Sequence, residues 1–334
     1  MAITLGNFVQ TTTRERYFPA AVDNIYEGNV LFKMLRDKAR PWTGGRQLVI
    51  PTTVSDRTQG GSFSGFDTLP TTQEDVRQLF KVDPSEYTSA PIVFSGIQLA
   101  VNKGPEAYLD AIATEFSDVA RALSENLGED LYGDGTGNNN KDITGLNYHI
   151  DDSTDVTTYQ NLSRSTYTNL KSTRNAQSGA LGFDDLATDT DAAQRGSDSP
   201  DLIITTPAVF SIIERLVTPT LNLSYGRAPQ LAPTGGKQGT QLSFGANALY
   251  WRGIPIIADE KCTSGNIWTI NTKHLFLYNL DYTNELTTAT KEGFAWTGFK
   301  TSQNQNAIVG HLLYAGQLVG DSPRTMARRT AVTS

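Results

Sequence analysis

The sequence of 334 residues holds one cysteine, Cys262, and three histidines, His149, His274 and His311. A single cysteine excludes an intramolecular disulfide framework, so folding needs no oxidation. No histidine has a second histidine or a cysteine at ligand spacing, which argues against zinc. Charged residues are scarce, at 19%, and the net charge is −7. That balance argues against tight, sequence-specific nucleic-acid binding, which calls for a basic surface. It leaves room for a container, which need not grip its contents. No apolar run reaches the length of a transmembrane helix. The first residues, from Met1 to Phe8, lack the basic and apolar regions of a signal peptide.

Catalytic signatures are missing as well. The nearest approach to a phosphate-binding loop, Gly235-Gly236-Lys237-Gln238, puts Gln where a magnesium-binding hydroxyl belongs. The Gly133-Asp134-Gly135-Thr136-Gly137 run follows a helical stretch, not a strand, so it is not a dinucleotide fingerprint. Gly61-Ser62-Phe63-Ser64-Gly65 has Phe63 where a nucleophile elbow needs its serine between the glycines. Two acidic groups, Asp151, Asp152 and Asp155, and Asp184, Asp185, Asp189 and Asp191, lack the glycine and terminal glutamate of a calcium loop. Solvated loops and helix caps are the expectation for both. A Cys–His nucleophile pair has no local motif behind it. His274 is expected to be structural, in an alternating strand. Arg324, Arg328 and Arg329 make a small basic tail, either solvated or set against acids of a neighbour. No catalytic, cofactor-binding or metal-binding residue is expected, and no cofactor.

What is present is backbone architecture. Glycine (29) and proline (14) are plentiful, so turns and loops are too. The stretch 29–38 places Val30, Leu31, Met34 and Leu35 on one narrow helical face. It reads as a short surface helix or as part of an arm docking on a neighbour. Residues 45–54 are rich in β-branched side chains and bounded by glycine, which predicts a strand. A long Gly/Ser/Thr loop follows at 55–72. A second extended stretch at 76–99 carries Pro84 and Pro91, which suit edge strands. Together they predict a long two-stranded arm, a form that is marginal alone in water and so must lean on something.

The clearest element runs over 105–132. Pro105 suits a first helical turn. Leu109, Ile112, Phe116, Val119, Leu123, Leu127 and Leu131 recur every three or four residues, with Asp110, Glu115, Asp118, Arg121 and Glu125 opposite. The helix would be about 40 Å long. Short helices are expected at 166–174 and 183–194. Residues 201–216 predict a buried strand turning into a helix capped by Thr206 and opened by Pro207. Residues 218–246 are loop-rich, and 249–259, 267–280, 294–301 and 307–319 predict strands. The order suggests a discontinuous domain into which a central α/β region is inserted.

This order of elements resembles the major capsid proteins of tailed double-stranded DNA phages, which share the Hong Kong phage-type fold. The likeness is carried by the helix at 105–132 with its Leu131-Tyr-Gly-Asp-Gly-Thr-Gly end and the following Ile143-Thr-Gly-Leu. It is carried also by Pro200-Asp-Leu-Ile-Ile-Thr-Thr-Pro-Ala-Val-Phe, and by Leu249-Tyr-Trp-Arg-Gly-Ile-Pro-Ile-Ile-Ala-Asp with the strands after it. The resemblance implies an α+β fold with an N-terminal arm (1–44), an extended β-hairpin loop (45–100), a peripheral domain with a long spine helix (101–140 and 288–334) and an axial α/β domain (141–287).

It further implies a non-enzymatic shell protein of the virion, made in the bacterial host cytoplasm. Hexamers and pentamers of it would close into an icosahedral shell around phage DNA, which is held without sequence-specific binding. Implied partners are further copies of the chain, a separate scaffolding protein, a portal and, in some relatives, a decoration protein; no membrane is involved. The mapped arm starts at Met1, so no large maturation cleavage is expected. No lysine stands between Arg46 and Val76, so crosslinking from the loop tip is not expected; Lys81 lies on the return strand. Two other readings stand beside this one: a nanocompartment shell of the same fold, and a hydrolase with a site assembled from distant residues.

Overall fold

The computed structural model describes residues 30–36, 38–101, 105–217, 249–281, 288–289 and 293–333. Most of the arm at 1–29, the tract at 218–248 and the Gly235–Gln238 run lie outside the described residues. So do the side chains of Leu109 and Ile112. The chain forms two compact units: Met1–Ser172 with Thr272–Arg324, and Thr173–Asn271 with Thr325–Ser334.

The first unit is built on a mixed sheet whose longest strand is Leu312–Gly320. All but one of that strand's nine residues are buried, which explains its nearly continuous apolar and small composition. It pairs antiparallel with Leu275–Leu280, Phe294–Trp296 and Ser85–Thr88. Arg40–Trp42 adds to Leu275–Leu280 in parallel. The helix Val30–Arg36 buries Leu31, Phe32 and Leu35, with the Phe32 ring 5.9 Å from that of Tyr314. This part of the expected arm thus rests on its own unit. Pro84 and Pro91 each stand just before a strand, where no ladder donor is lost.

The amphipathic prediction holds over the long helix, Pro105–Asp130. Phe116, Val119, Leu123 and Leu127 are buried, and Glu115, Asp118, Arg121 and Glu125 are exposed. The Phe116 ring lies 4.7 Å from Trp296. The loop after the helix is held tightly. Leu146 N–H donates to the Leu131 carbonyl at 2.7 Å. A Cβ on Gly145 would collide with the backbone carbonyls of Leu131 and Asp130, so only glycine fits. In the same loop Asn138, Asn139 and Asn140 all take left-handed backbone angles, which asparagine tolerates better than most residues.

The second unit carries a sheet in the order Leu249–Trp251, Ile254–Ala258, Leu202–Thr205, Ile267–Ile270, Ala327–Thr330, Thr173–Ala176. Leu202–Thr205 is wholly buried and leads into the helix Pro207–Val217. Thr206 Oγ1 accepts from Val209 N–H, as the capping pattern predicts. Arg252 and Gly253 both have positive φ, which suits the tight turn between two hairpin strands. The core gathers Leu181, Leu186, Ile203, Val209, Ile213, Ile256, Ile267 and Val332.

Three expectations are corrected. The helix at 166–174 is a 3-10 turn, Thr168–Leu170, followed by the strand Thr173–Ala176. Pairing of that strand with Ala327–Thr330 outweighs weak local helix preference. His274 ends a 3-10 turn, Thr272–His274, and does not sit within the strand after it. Two of the three tail arginines are not solvated: Arg328 and Arg329 are 2% and 5% exposed, inside the sheet of the second unit, while the Arg324 side chain stays 39% exposed.

Candidate assembly surfaces

The extended hairpin pairs Leu48–Thr53 with Arg77–Val82 in antiparallel register, Ile50 opposite Phe80 and Pro51 opposite Leu79. Alternation gives it two faces. The inward face sets Phe80 and Val54 into a cluster with Tyr159 and Leu170. The outward face leaves Val49 and Leu79 each 48% exposed, flanked by exposed Arg77 and Lys81.

Beyond the strands the chain continues as a loop tied across itself. Thr58 N–H and Oγ1 donate to the Glu74 carboxylate at 2.8 and 2.6 Å, and Gln59 N–H donates at 3.2 Å. The Thr58 hydroxyl bond holds the Glu74 carboxyl below its usual range. Ser64 N–H donates to Asp67 Oδ2, and Asp67 N–H to the Ser64 carbonyl, closing a turn at the tip. This turn presents Phe66 in full exposure, between Phe63 at 65% and Leu69 at 54%. Three large apolar side chains within seven residues of one loop form a patch of the kind that marks an interaction site. Their signal in the sequence was plain enough: apolar residues inside a Gly/Ser/Thr run with nothing local to bury them.

A polar knot that the sequence reading missed fixes the root of the hairpin. Arg164 is fully buried and satisfied: Nη2 donates to the carbonyls of Tyr148 and His149, Nη1 to that of Val156, and Nε to that of Leu170. Nη1 also lies 3.5 Å from Asp151 Oδ2. That carboxylate oxygen accepts the backbone N–H groups of Ser153, Asp155 and Val156. The expected solvated loop is therefore a buried ion pair at Asp151, because a loop can satisfy a buried charge with its own amides. The Arg164 guanidinium stands 4.8 Å from the centre of the Tyr159 ring, and Tyr159 O–H reaches the Gly320 carbonyl and His149 Nδ1. Full burial, with Arg164 nearby, pushes the His149 imidazole down to about 3, so it is neutral. Its Nε2 lies 3.1 Å from the Leu318 carbonyl.

Gln317 joins three segments of the same unit. Its Oε1 accepts from Thr144 N–H and Oγ1, and its Nε2 donates to the Asp83 carbonyl and Ser85 Oγ. The Tyr87 hydroxyl accepts from Ile143 N–H at 2.7 Å, and burial raises both its pKa and that of Asp130.

In the second unit Asp185 caps the helix Phe183–Ala193 by accepting from Gly182 N–H. Asp189 takes Arg329 on both oxygens, Nε to Oδ2 at 2.7 Å and Nη2 to Oδ1 at 2.9 Å. Asp191 pairs with Arg252 at the surface. Tyr250 stands 66% exposed on the edge strand Leu249–Trp251.

No described cluster of three or more His, Cys, Asp or Glu side chains could hold a metal. Cys262 is buried, and burial pushes its thiol up to about 12, far from a reactive thiolate. His274 pairs with Asp321 in the first unit, whereas Cys262 belongs to the second. The cleft of about 950 Å³ in the first unit is lined by carboxylates, lysines and amides such as Asp83, Lys141, Asp155 and Gln160. No histidine or cysteine lines it. Among the described residues no helix is long and apolar enough to cross a membrane.

No family model matches the sequence, and no curated protein matches it. Solved structures do. The chain is similar to a protein of the cyanophage A-1(L) capsid asymmetric unit at a TM-score of 0.70 and 15% identity, covering 91% of this chain and 93% of that one. It is similar to a chain of the native GTA particle capsid at 0.57 and 9% identity, covering 90% of each. The SrpI encapsulin complex of Synechococcus elongatus PCC 7942 gives 0.56 at 11% identity, over 90% and 86%. The fold is the capsid fold that the order of elements implied.

Proposed function

We propose that this chain is the subunit of a closed protein shell, a major capsid protein whose copies assemble around phage DNA. The observation that carries the reading is the match to the cyanophage A-1(L) capsid over nine-tenths of both chains. The exposed aromatic tip and the half-exposed hairpin face support it, since both are apolar surfaces in want of a cover. The function is mechanical: obligate contacts of roughly 2,000 Å² or more, repeated around a closed symmetric shell, resist internal pressure. The chain would be non-enzymatic and part of the virion, made in the host cytoplasm. A scaffolding protein and a portal would be its assembly partners.

The domain assignment belongs to the same proposal. Residues 1–44 would be the arm, 45–100 the extended loop, and Pro105–Asp130 the spine of the peripheral domain. The compact units favour starting the axial domain near 173 and not 141, and including the strand Ala327–Thr330 in it.

The test is electron microscopy of the purified chain, with nucleic acid assayed inside any particles. Closed shells support the proposal; a stable monomer at micromolar concentration overturns it. A second reading, a nanocompartment around protein cargo, is favoured by the encapsulin match. Shells that carry protein and exclude nucleic acid would select it.

A further inference from the structure

The cleft of about 950 Å³ plays no part in the shell reading, and all of its lining belongs to the first unit. Asp83 and Glu86 come from the end of the hairpin's return strand and the strand after it. Asp134 and Asp142 come from the loop after the long helix, and Asp155 from the loop that carries Asp151. Against these carboxylates the lining sets two cations, Lys81 and Lys141, so negative charge prevails. Burial raises the carboxyl of neighbouring Asp130, and Asp142 adds to the rise, which marks a field of negative sign at this wall.

Gln160 lines the same cleft and is 4% exposed. A tight turn holds it: Gln160 and Asn161 both have positive φ between the paired strands Thr158–Tyr159 and Leu162–Ser163. Gln160 N–H donates to the Tyr148 hydroxyl at 2.6 Å, and its carbonyl accepts from Lys81 N–H. The side-chain Nε2 donates to the Gly320 carbonyl. Among the described residues, no donor reaches Gln160 Oε1. A buried amide oxygen without a donor calls for one from outside the chain.

We propose that this cleft binds an organic polyamine, a linear chain bearing two or more ammonium groups. The carboxylates take the ammonium groups, a ligand N–H supplies the donor that Gln160 Oε1 lacks, and the methylene spacers run over Val82, Pro84 and Val156. A single metal ion does not suit the site, because among the described residues no three His, Cys, Asp or Glu side chains gather closely enough to hold one. Carboxylates spread around a cleft of this size suit charges that are themselves spread out. The inference goes beyond the shell reading and stands whether or not the chain assembles. Because the ligand would tie three segments of one unit together, its binding should stabilise that unit by mass action.

The experiment titrates the full-length chain with spermidine by calorimetry at physiological salt, with magnesium chloride at matched ionic strength as the comparison. Saturable binding of one spermidine per chain, with a rise in melting temperature, is expected. Asp142→Asn with Asp155→Asn should weaken that binding by about tenfold or more. Asp118→Asn with Glu125→Gln removes the same charge from the exposed side of the long helix and should leave the affinity within about twofold of native. Lys141→Gln, at an exposed position, should tighten binding by about threefold. Circular dichroism checks that each variant folds, and if the cleft pair does not, Lys141→Gln carries the test. No saturable binding by the native chain overturns the proposal. So does an equal loss in the helix pair, which would mean general attraction to an acidic surface. Magnesium that saturates the site and displaces spermidine overturns it too, as does a Lys141→Gln variant with unchanged affinity.

Discussion

The ring of Phe80, on the return strand of the hairpin, meets the ring of Tyr159 edge-on, with centroids 5.6 Å apart and planes at 88°. On Tyr159's side of this contact stand Arg164 and His149. The hairpin is therefore not a free ribbon: its root is bolted to a buried aromatic and ionic knot, while its tip and outward face stay exposed.

Phe80→Ala should destabilise the first unit by about 3–5 kcal/mol, through lost burial and the cavity left at the hairpin root. Hydrogen exchange should then speed in Leu48–Thr53 and Arg77–Val82 before it speeds in Leu312–Gly320. Uniform exchange across the unit would show that the hairpin does not depend on this anchor.

Phe66→Ser should leave subunit stability within about 0.5 kcal/mol of native, because the ring is fully exposed among the described residues. Particle yield should fall all the same. A chemical denaturation curve and a sedimentation profile on the same sample separate the two effects.

Acid should loosen the fold through His149. Its folded pKa, about 3, lies below the ordinary 6.5, so the unfolded chain takes up the proton first. The stability held by the neutral ring is complete above pH 6.5 and is lost as pH falls toward 3, by up to about 1.4 kcal/mol per unit. His149→Gln should flatten this part of a stability–pH profile measured by urea titration.

Gly145→Ala should cost at least about 1–3 kcal/mol, since the new methyl must displace the carbonyls at the end of the long helix. The melting temperature should drop with no change in helix content at room temperature.

Arg329→Ala should cost the second unit about 3–5 kcal/mol by stranding Asp189 as a buried charge. Arg329→Ala with Asp189→Leu should recover a large part of it. No recovery in the double variant would argue that Arg329 acts through Gln177 and the Asp185 carbonyl instead.

Much of the architecture could be read from residues alone. The helix from Pro105 declares itself by period, and Thr206-Pro207 by capping chemistry, because both signals are local. The hairpin is legible from β-branched runs on either side of a polar loop. The charged knots were not legible. Asp151 and Arg164 look like loop residues until backbone amides are seen to gather on the carboxylate, and Arg329 looks like a tail until its strand is placed between two others. The Arg329–Asp189 pairing spans 140 residues, which no window of sequence contains; Asp151 and Arg164 are 13 apart, and there it is the gathering of amides and carbonyls around them that has no sequence signature. The helix expected near 166–174 failed for the same reason: its fate is decided by a distant strand.

That strand, Ala327–Thr330, carries a consequence for biosynthesis. It fills the slot between Ile267–Ile270 and Thr173–Ala176, yet it follows every other member of the sheet in translation order. A nascent chain halted before residue 327 holds its earliest strand with no rung to attach it. The ribosome must therefore deliver the chain through Thr330 before the sheet of the second unit can close.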